Sequence, residues 1–288
     1  MTIQELIPLG PKTTMKIGGK ARWFAELKTK EDVEDAWKFS REKNVPLLVL
    51  GGGANTVFAD GTIEALVVKV ISDNIAIKGN DVTAAAGCIL ATLLNRCAEA
   101  NLDLSALTGI PGTLGGALMG NAGQGPQGVW LDSFVVSVTA LVNGQWQTFA
   151  REECNFRYRE SGFKTMPDVI LWEARLSLPS RPTAEVKEAI NLALKKRLEI
   201  QPYRFTAGSC FKAVDGTPAW KLIDKAGLRG FHVGGVQISD RHANFLINTG
   251  TGTFVDLLQL IAATREKVPQ LQGIEMRLVG ENGKVISA

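Results

Sequence analysis

The sequence of 288 residues has only two histidines, and none of its four cysteines forms a Cys-x-x-Cys pair. Two histidines cannot build a His-rich metal centre, and zinc ribbons and thioredoxin-like redox sites need paired cysteines. Unpaired cysteines at 88, 97, 154 and 210 are typical of proteins in a reducing compartment. We therefore predict no metal site and a cytoplasmic location.

Long apolar runs and dense basic blocks are also missing. No apolar run approaches the ~18 residues that a membrane-spanning helix needs, and the N-terminus lacks a basic region followed by an apolar one. The formal net charge is +3, while 45% of residues are hydrophobic and 21% are charged, as in ordinary globular proteins. This composition predicts neither a membrane nor a nucleic acid as partner.

Hydrophobic periodicity predicts an α+β protein without a strict βαβ rhythm. Helices are predicted at 31–44, 89–100, 184–198, near 219–226 and at 253–267. Strands are predicted at 46–50, 65–70, 82–87, 169–178, near 234–238 and at 244–248. Hairpins are predicted at 133–148, with Asn143-Gly144 as its turn, and at 274–287. The polar, Pro-containing stretch 179–183 fits a domain boundary.

Two glycine-rich tracts lie in the first half of the chain, GGGANT at 51–56 and TGIPGTLGGALMGNAGQGPQG at 108–128. Tight turns would explain one such tract. Two of them indicate a phosphate cradle, because glycine lets main-chain N–H groups approach an anion. Neither tract has the Gly-Lys-Ser/Thr of a P-loop, and neither is a Gly-x-Gly-x-x-Gly between a strand and a helix. We therefore predict a dinucleotide site built from two separated loops on a non-Rossmann scaffold.

Five motifs, which include parts of these two tracts, follow one another along the chain: GGGANTVF, TGIPGTLGGALMGNAG, NFRYRESGFK, AGSCFK and GIEMRLVGE. In this the chain resembles the UDP-N-acetylenolpyruvylglucosamine reductase family, in its shorter subtype, over nearly its whole length. The resemblance implies a vanillyl-alcohol-oxidase-type FAD-binding fold. Two α+β subdomains, 1–70 and 71–180, would hold FAD, and 181–288 would be a C-terminal α+β substrate-binding domain.

The resemblance also implies the reaction. NADPH would reduce non-covalently bound FAD, which would then reduce the enolpyruvyl group of a nucleotide sugar to give UDP-N-acetylmuramate for peptidoglycan. Such an enzyme serves cell wall biogenesis, and through it cell shape and division. We expect it to act as a monomer. Two alternatives stay open: another FAD oxidoreductase of the same wider fold, and a redox-inactive nucleotide-sugar binding protein.

Site residues follow from the same resemblance. Arg159 would stabilise the enolate, Ser209 would donate a proton, and Glu275 would orient the substrate carboxylate or supply a proton. Their ordinary alternatives are a surface arginine paired with Glu160, a turn serine and a solvated charge pair. FAD would be held by Gly51, Gly52, Gly53, Ala54, Asn55, Thr56, Gly109, Ile110, Pro111, Gly112, Thr113, Gly116, Asn121, Ala122, Gly123 and Arg277. The substrate would be held by Tyr158, Arg197 and Lys212.

Four positions depart from the family pattern. Ala54 stands where the family usually has Ser, and Gln124-Gly125-Pro126 interrupts a usual Ala-Tyr-Gly. Thr206 replaces a usual Pro, and Ala213 replaces an Asn that would contact substrate. We expect these changes to weaken FAD or substrate binding rather than to abolish the reaction.

Overall fold

The structure, a computed structural model, describes residues 1–123, 128–202 and 204–286. The chain divides into two compact units. Unit 1 contains Met1–Thr2, Ala25–Gly52 and Val68–Arg197, and unit 2 contains Ile3–Phe24, Gly53–Val67 and the chain from Leu198 onward. Among the described residues, no helix combines the length and apolarity needed to cross a membrane.

Helices and strands are mixed along the chain, which confirms the predicted α+β class. The α-helices of the described residues are α1 (Lys30–Glu42), α2 (Leu90–Glu99), α3 (Leu114–Met119), α4 (Thr183–Ile200), α5 (Ala219–Lys225) and α6 (Phe254–Lys267). Strands in the N-terminal half are β1 (Gln4–Pro8), β2 (Lys20–Leu27), β3 (Leu47–Val49), β4 (Thr56–Phe58), β5 (Thr62–Val70), β6 (Ile75–Lys78), β7 (Asp81–Ala85) and β8 (Val135–Val142). The later strands are β9 (Gln145–Ala150), β10 (Ile170–Ser177), β11 (Thr206–Ser209), β12 (His232–Val233), β13 (Val236–Ile238), β14 (Phe245–Asn248) and β15 (Arg277–Val279).

Unit 1 is built on a five-stranded antiparallel sheet of order β6-β7-β10-β8-β9. Helix α2 buries Leu90, Leu93 and Cys97 in one cluster with inward-facing residues of this sheet. Alternating apolar positions on the strands and helical spacing on α2 explain why these faces are buried. Helix α3, within the second glycine-rich tract, adds Leu114, Ala117 and Leu118 to the same cluster, so this tract is anchored in the core of unit 1.

The predicted hairpin of unit 1 is confirmed. Strands β8 and β9 pair from Val142↔Gln145 to Ser137↔Ala150. The turn residues Asn143 (φ +49°) and Gly144 (φ +77°) both lie in the left-handed region, as a two-residue type I′ turn requires. A Cβ atom on Gly144 would lie 2.8 Å from the Trp37 ring, so this position needs glycine for space as well.

The predicted helices agree with α1, α2, α4, α5 and α6 to within one or two residues at each end. Helix α1 begins at a capping box in which Thr29 and Asp32 bond each other's backbone N–H. Helix α3 was not predicted, because LGGALM contains two glycines, which disfavour a helix. Thr113 is the residue in the sequence that could have indicated this helix, because its Oγ1 caps the N-terminus of α3 by accepting from Gly116 N.

Unit 2 contains an antiparallel sheet of order β11-β14-β13-β12 and a parallel pair of β15 with β4. The predicted final hairpin at 274–287 forms close to its turn, where Gly280 N donates to Lys284 O and Ile286 N donates to Leu278 O, but its first arm also pairs with a distant strand. Arg277–Val279 pairs in parallel with Thr56–Phe58, and one bridge, Val279↔Val285, joins the two arms of the predicted hairpin. Leu278 and Val279 are fully buried there, so burial beside β4 decides the pairing.

Candidate active site

The two glycine-rich loops of unit 1 touch each other through glycine backbone. A Cβ atom on Gly52 would lie 2.5 Å from the Cα of Gly112, and one on Gly51 would lie 2.8 Å from Thr113 Oγ1. Neither position has space for a side chain. The structure thus brings together the two tracts that the sequence predicted to form one cradle, as far as their unit 1 residues are concerned.

The second loop exposes its backbone on the way into α3. Gly109 (φ +74°) and Gly112 (φ +108°) have conformations that favour glycine. Gly109, Pro111 and Gly116 are exposed, whereas Ile110 is half-buried and Thr113 is buried. Leu90 N donates to Gly112 O at 3.0 Å, which ties the loop to α2. A fixed glycine backbone with open faces has the properties that a phosphate cradle needs.

In unit 2, the rest of the first glycine tract lies beside the C-terminal motif. Gly53 (φ +67°) accepts from Thr14 N at 3.0 Å, and a Cβ atom there would collide with Lys12 O. Asn55 Nδ2 donates to Glu275 O at 2.8 Å, and Thr56 pairs with Arg277. Residues assigned to FAD and to catalysis from the family resemblance are therefore neighbours. Ala54, which lies between Gly53 and Asn55 in the sequence, is half-buried.

Glu275 lies in the first arm of the predicted hairpin at 274–287, but it is not part of the strand that forms there. Strand β15 begins at Arg277, and Glu275 lies before it. Its N–H donates to Cys210 O at 2.8 Å, in a short antiparallel contact that includes Phe211↔Ile274. Residues 274–275 therefore pair with the AGSCFK motif instead of extending β15.

Ser209, Lys212 and Glu275 lie on these two adjoining segments. Ser209 ends β11, and Lys212 N donates to Gly273 O at 2.9 Å. All three residues are half-buried. Cys210, between Ser209 and Lys212, is fully buried, and burial raises the pKa of its thiol. Cys210 is therefore a packing residue, as expected for a buried thiol that stays protonated.

Gly208 and Thr206 shape the approach to Ser209. Gly208 has φ +82°, and no atom lies within 4 Å of the place where its Cβ would be. Thr206, which stands where the family usually has Pro, accepts from Gly208 N at 3.3 Å through its hydroxyl. Its carbonyl accepts from Thr14 Oγ1 at 2.6 Å. Hydrogen bonds therefore fix this turn where proline would fix it by its ring. The other departure here, Ala213, is half-buried.

Arg159 occupies a tight turn in unit 1. Arg157 and Glu160 exchange backbone hydrogen bonds of 3.0 and 3.1 Å, and Arg159 between them has φ +55°. Its guanidinium lies 5.7 Å from the Trp130 ring centroid and 5.9 Å from that of Tyr158. Arg159 Nη1 donates to Gly123 O at 3.0 Å. Sequence reasoning found Tyr158 and Arg159 but missed Trp130, which lies far from them along the chain.

Asn121 is buried and has both ends of its amide bonded to backbone. Nδ2 donates to Arg157 O at 3.2 Å, and Oδ1 accepts from Asp132 N at 3.1 Å. Ala122, also buried, donates to Ala117 O and accepts from Leu131 N. These contacts hold the Arg159 turn against the end of the second glycine tract. The departure at Gln124-Gly125-Pro126 lies outside the described residues.

Arg197 brings a second guanidinium to the same part of unit 1. A Cβ atom on Gly109 would lie 2.6 Å from Arg197 Cδ, so the arginine side chain occupies the space where a side chain at position 109 would be. Burial, and then the charge of Arg159, lower the pKa of Arg197. Two cations and an exposed glycine backbone attract anions such as phosphate and carboxylate. In unit 2, burial likewise lowers the pKa of Arg277.

Comparisons with known proteins extend this picture over the whole chain. Residues 21–147 match the family model of an FAD binding domain, and residues 201–278 match that of the C-terminal domain of UDP-N-acetylenolpyruvoylglucosamine reductase. The reductase of Synechococcus sp. (strain JA-3-3Ab) is 34% identical over 96% of this chain and 91% of its own length. That of Moorella thermoacetica is 35% identical over 94% and 90%.

A crystal structure agrees with these sequence matches. That of UDP-N-acetylenolpyruvylglucosamine reductase from Thermus caldophilus superimposes with a TM-score of 0.85 at 31% identity, over 96% of this chain and 99% of the other. Similarity of sequence and of fold therefore extends through both units, glycine loops and C-terminal motif included. The chain belongs to the UDP-N-acetylenolpyruvoylglucosamine reductase family.

Proposed function

We propose that this chain is an NADPH- and FAD-dependent oxidoreductase that reduces the enolpyruvyl group of UDP-N-acetylglucosamine enolpyruvate to UDP-N-acetylmuramate for peptidoglycan synthesis. The observation that carries the proposal is the full-length similarity to reductases of this name, at 34% identity over 96% of the chain. The site is consistent with it, because the contact between the glycine loops, the Arg159 turn and the backbone hydrogen bond from Glu275 N to Cys210 O are all formed.

FAD fits the residues that are present. Side chains are excluded where Gly52 meets Gly112, so backbone N–H groups can face a diphosphate. We propose that residues 51–56, 109–113, Gly116, 121–123 and Arg277 hold the cofactor without a covalent bond. Neither His232 nor His242 lies in the region that matches the FAD binding domain. When bound, FAD carries the hydride between NADPH and the vinyl group.

Arg159 would bind the carboxylate of the enolpyruvyl group. Hydride addition to the terminal vinyl carbon moves negative charge onto the carboxyl-bearing side, as an enolate. A guanidinium stabilises that charge through charge-assisted, bidentate hydrogen bonds. The turn that fixes Arg159 supports this role, since a group held in place before the reaction needs no reorganisation during it.

Ser209 would donate the proton that completes the reduction. An alcohol is a weak acid, but an enolate is a strong base, and so the transfer is chemically reasonable. Glu275 would orient the substrate carboxylate or supply a proton. The hydrogen bond from Glu275 N to Cys210 O supports roles for Ser209 and Glu275 on the same substrate, because it joins the segments that carry these two residues.

Tyr158, Arg197 and Lys212 would bind the nucleotide sugar. Arg197 suits a diphosphate, because it is a part-buried cation beside the exposed Gly109. Lys212 packs its side chain against Gly273, where a Cβ atom would lie 3.2 Å from Lys212 Cδ. Arginine adds planar recognition of phosphate, and lysine adds a compact charge.

We also propose three domains, 1–70 and 71–180 for FAD and 181–288 for substrate, acting as a monomer in the cytoplasm. The C-terminal family model at 201–278 supports the last boundary. Four buried cysteine thiols support a reducing compartment. Limited proteolysis and analytical ultracentrifugation test the boundaries and the monomer.

Anaerobic spectroscopy on the purified protein tests the proposed function. We expect a yellow protein whose flavin absorbance is bleached by NADPH and restored by the enolpyruvyl nucleotide sugar. A colourless protein that binds the nucleotide sugar would favour a redox-inactive binder. A yellow protein whose reduced flavin ignores this substrate would favour an oxidoreductase acting on another sugar or alcohol.

A further inference from the structure

We propose that Trp130 is a positioning residue that holds the Arg159 guanidinium in its working orientation. This proposal rests on the proposed role of Arg159 in the reductase. Trp130 belongs to none of the motifs that identify the family. It is joined to Arg159 by contacts within unit 1 alone.

The Arg159 guanidinium lies against two aromatic rings at once. Its Cζ is 5.7 Å from the Trp130 centroid and 5.9 Å from the Tyr158 centroid, within the ~6 Å range of a cation–π interaction. The two rings pack edge-to-face, with centroids 5.0 Å apart at an interplanar angle of 60°. They therefore form a preformed corner. A guanidinium that meets an aromatic ring with its face keeps its N–H edge available to a carboxylate.

Trp130 itself is fixed by Gly123. The two residues form an antiparallel bridge, and a Cβ atom on Gly123 would lie 3.0 Å from Trp130 Cγ. Gly123 O accepts from Arg159 Nη1 at 3.0 Å. One glycine thus contacts both the indole and the guanidinium. A side chain at position 123 would displace the ring from Arg159.

The backbone of Arg159 needs such support. A non-glycine residue in the left-handed region is uncommon and strained. Lys164 Nζ, bridged to Glu160, donates to Arg159 O at 2.5 Å, and Asn121 holds Arg157 O. These contacts fix the turn but not the direction of the long arginine side chain. The rings of Trp130 and Tyr158, together with Gly123 O, set that direction.

A double-mutant cycle separates positioning from a general structural role. Trp130→Met keeps an apolar side chain but removes the ring, and we expect it to slow flavin reoxidation by the enolpyruvyl substrate roughly 3- to 30-fold. Flavin reduction by NADPH should stay at the wild-type rate. In an Arg159→Lys background, Trp130→Met should slow flavin reoxidation by less than about twofold. Trp130→Phe, which keeps an aromatic face, should restore most of the rate.

Trp146→Met is the matched control. Trp146 also packs an aromatic ring against a cation, Lys30, and it contacts Glu34 and Trp172 as well. We expect flavin reoxidation to be unchanged in this variant. Equal loss from Trp130→Met in the wild-type and Arg159→Lys backgrounds would overturn the proposal, and so would failure of Trp130→Phe to restore the rate.

A readout without turnover covers the case in which a variant folds poorly or the wild type is inactive. Side-chain NMR signals of Arg159, assigned by their loss in Arg159→Lys, should show ring-current shifts that shrink in Trp130→Phe and change little in Trp146→Met. Unshifted signals in the wild type would overturn the inference. An inactive wild type with shifted signals would overturn the proposed function but leave the Trp130–Arg159 contact established.

Discussion

Gly52 and Gly112 meet back to back, with room for no side chain between them: a Cβ atom on Gly52 would lie 2.5 Å from Gly112 Cα. We expect Gly52→Ala to force the two loops apart and to lower FAD affinity at least about tenfold, with about 1–3 kcal/mol lost from the free energy of unfolding. The flavin-to-protein ratio after desalting measures the first effect.

Gly120→Ala is the control for that change. Gly120 lies in the second glycine tract, as Gly112 does, has φ −101°, and would bring its Cβ no closer than 3.9 Å to Gly116 O. This variant should keep its flavin. If Gly52→Ala retained flavin equally well, the two loops would not form the cradle.

Arg159→Lys should retain the charge but lose the planar pair of donors. We expect flavin reoxidation by the enolpyruvyl substrate to slow by about 100-fold or more, with flavin reduction by NADPH unchanged. Stopped-flow absorbance measures the two half-reactions separately. Arg157→Lys, the same change in the same turn, should be near wild type. A similar loss in both variants would mean that the turn, and not the Arg159 guanidinium, carries the effect.

Asn121 was assigned to FAD from the family resemblance, and its amide is engaged by the backbone at Arg157 and Asp132. We expect Asn121→Ala to lower the free energy of unfolding by about 2–4 kcal/mol, because it removes both hydrogen bonds of the buried amide and places alanine at φ +40°. Urea unfolding measures it. Asn44→Ala, at an exposed residue with φ +51°, measures the loss in free energy of unfolding that comes from the backbone conformation alone. Equal losses in the two variants would contradict the role of the amide.

Burial raises the pKa of the Cys97 and Cys154 thiols to about 12 in the folded protein. Unfolded thiols ionise near pH ~8.5. Below that value the thiols are protonated in both the folded and the unfolded state, and they contribute fully to the free energy of unfolding. Above it, only the unfolded state loses protons, and the free energy of unfolding falls by about 1.4 kcal/mol per pH unit for each thiol.

Comparison with a Cys97→Ala/Cys154→Ala variant isolates this effect, since lysine titration is common to both proteins. Between pH ~8 and ~10, denaturant unfolding of the variant should show a shallower decline than the wild type. Parallel pH profiles would show that these thiols ionise as easily in the folded state as in the unfolded one.

Local signals in the sequence predicted most of the secondary structure. Apolar spacing located α2, and Asn143-Gly144 located the β8–β9 turn. Helix α3 was not predicted, because its two glycines disfavour a helix. The pairing of β15 with β4 was not predicted either, because the two strands are distant in sequence. Parallel pairing between distant segments leaves no local pattern.

The candidate site was predicted from motifs, and its supporting contacts were not. Ser209 and Glu275 were assigned separately, and only the structure shows Glu275 N bonded to Cys210 O. Trp130 has no periodicity or motif that would mark it. Its role depends on Gly123 and Arg159, which the fold alone brings to it. Residues that touch a ligand are more recognisable in a sequence than residues that orient them.

The most direct test of the account is an anaerobic assay that follows NADPH oxidation and the mass of the product together. The account predicts no steady NADPH oxidation until the enolpyruvyl nucleotide sugar is added. One NADPH should then be consumed per product molecule, which gains one hydride and one proton. Continued NADPH oxidation without that substrate, or an unreduced enolpyruvyl group after NADPH is consumed, would contradict it.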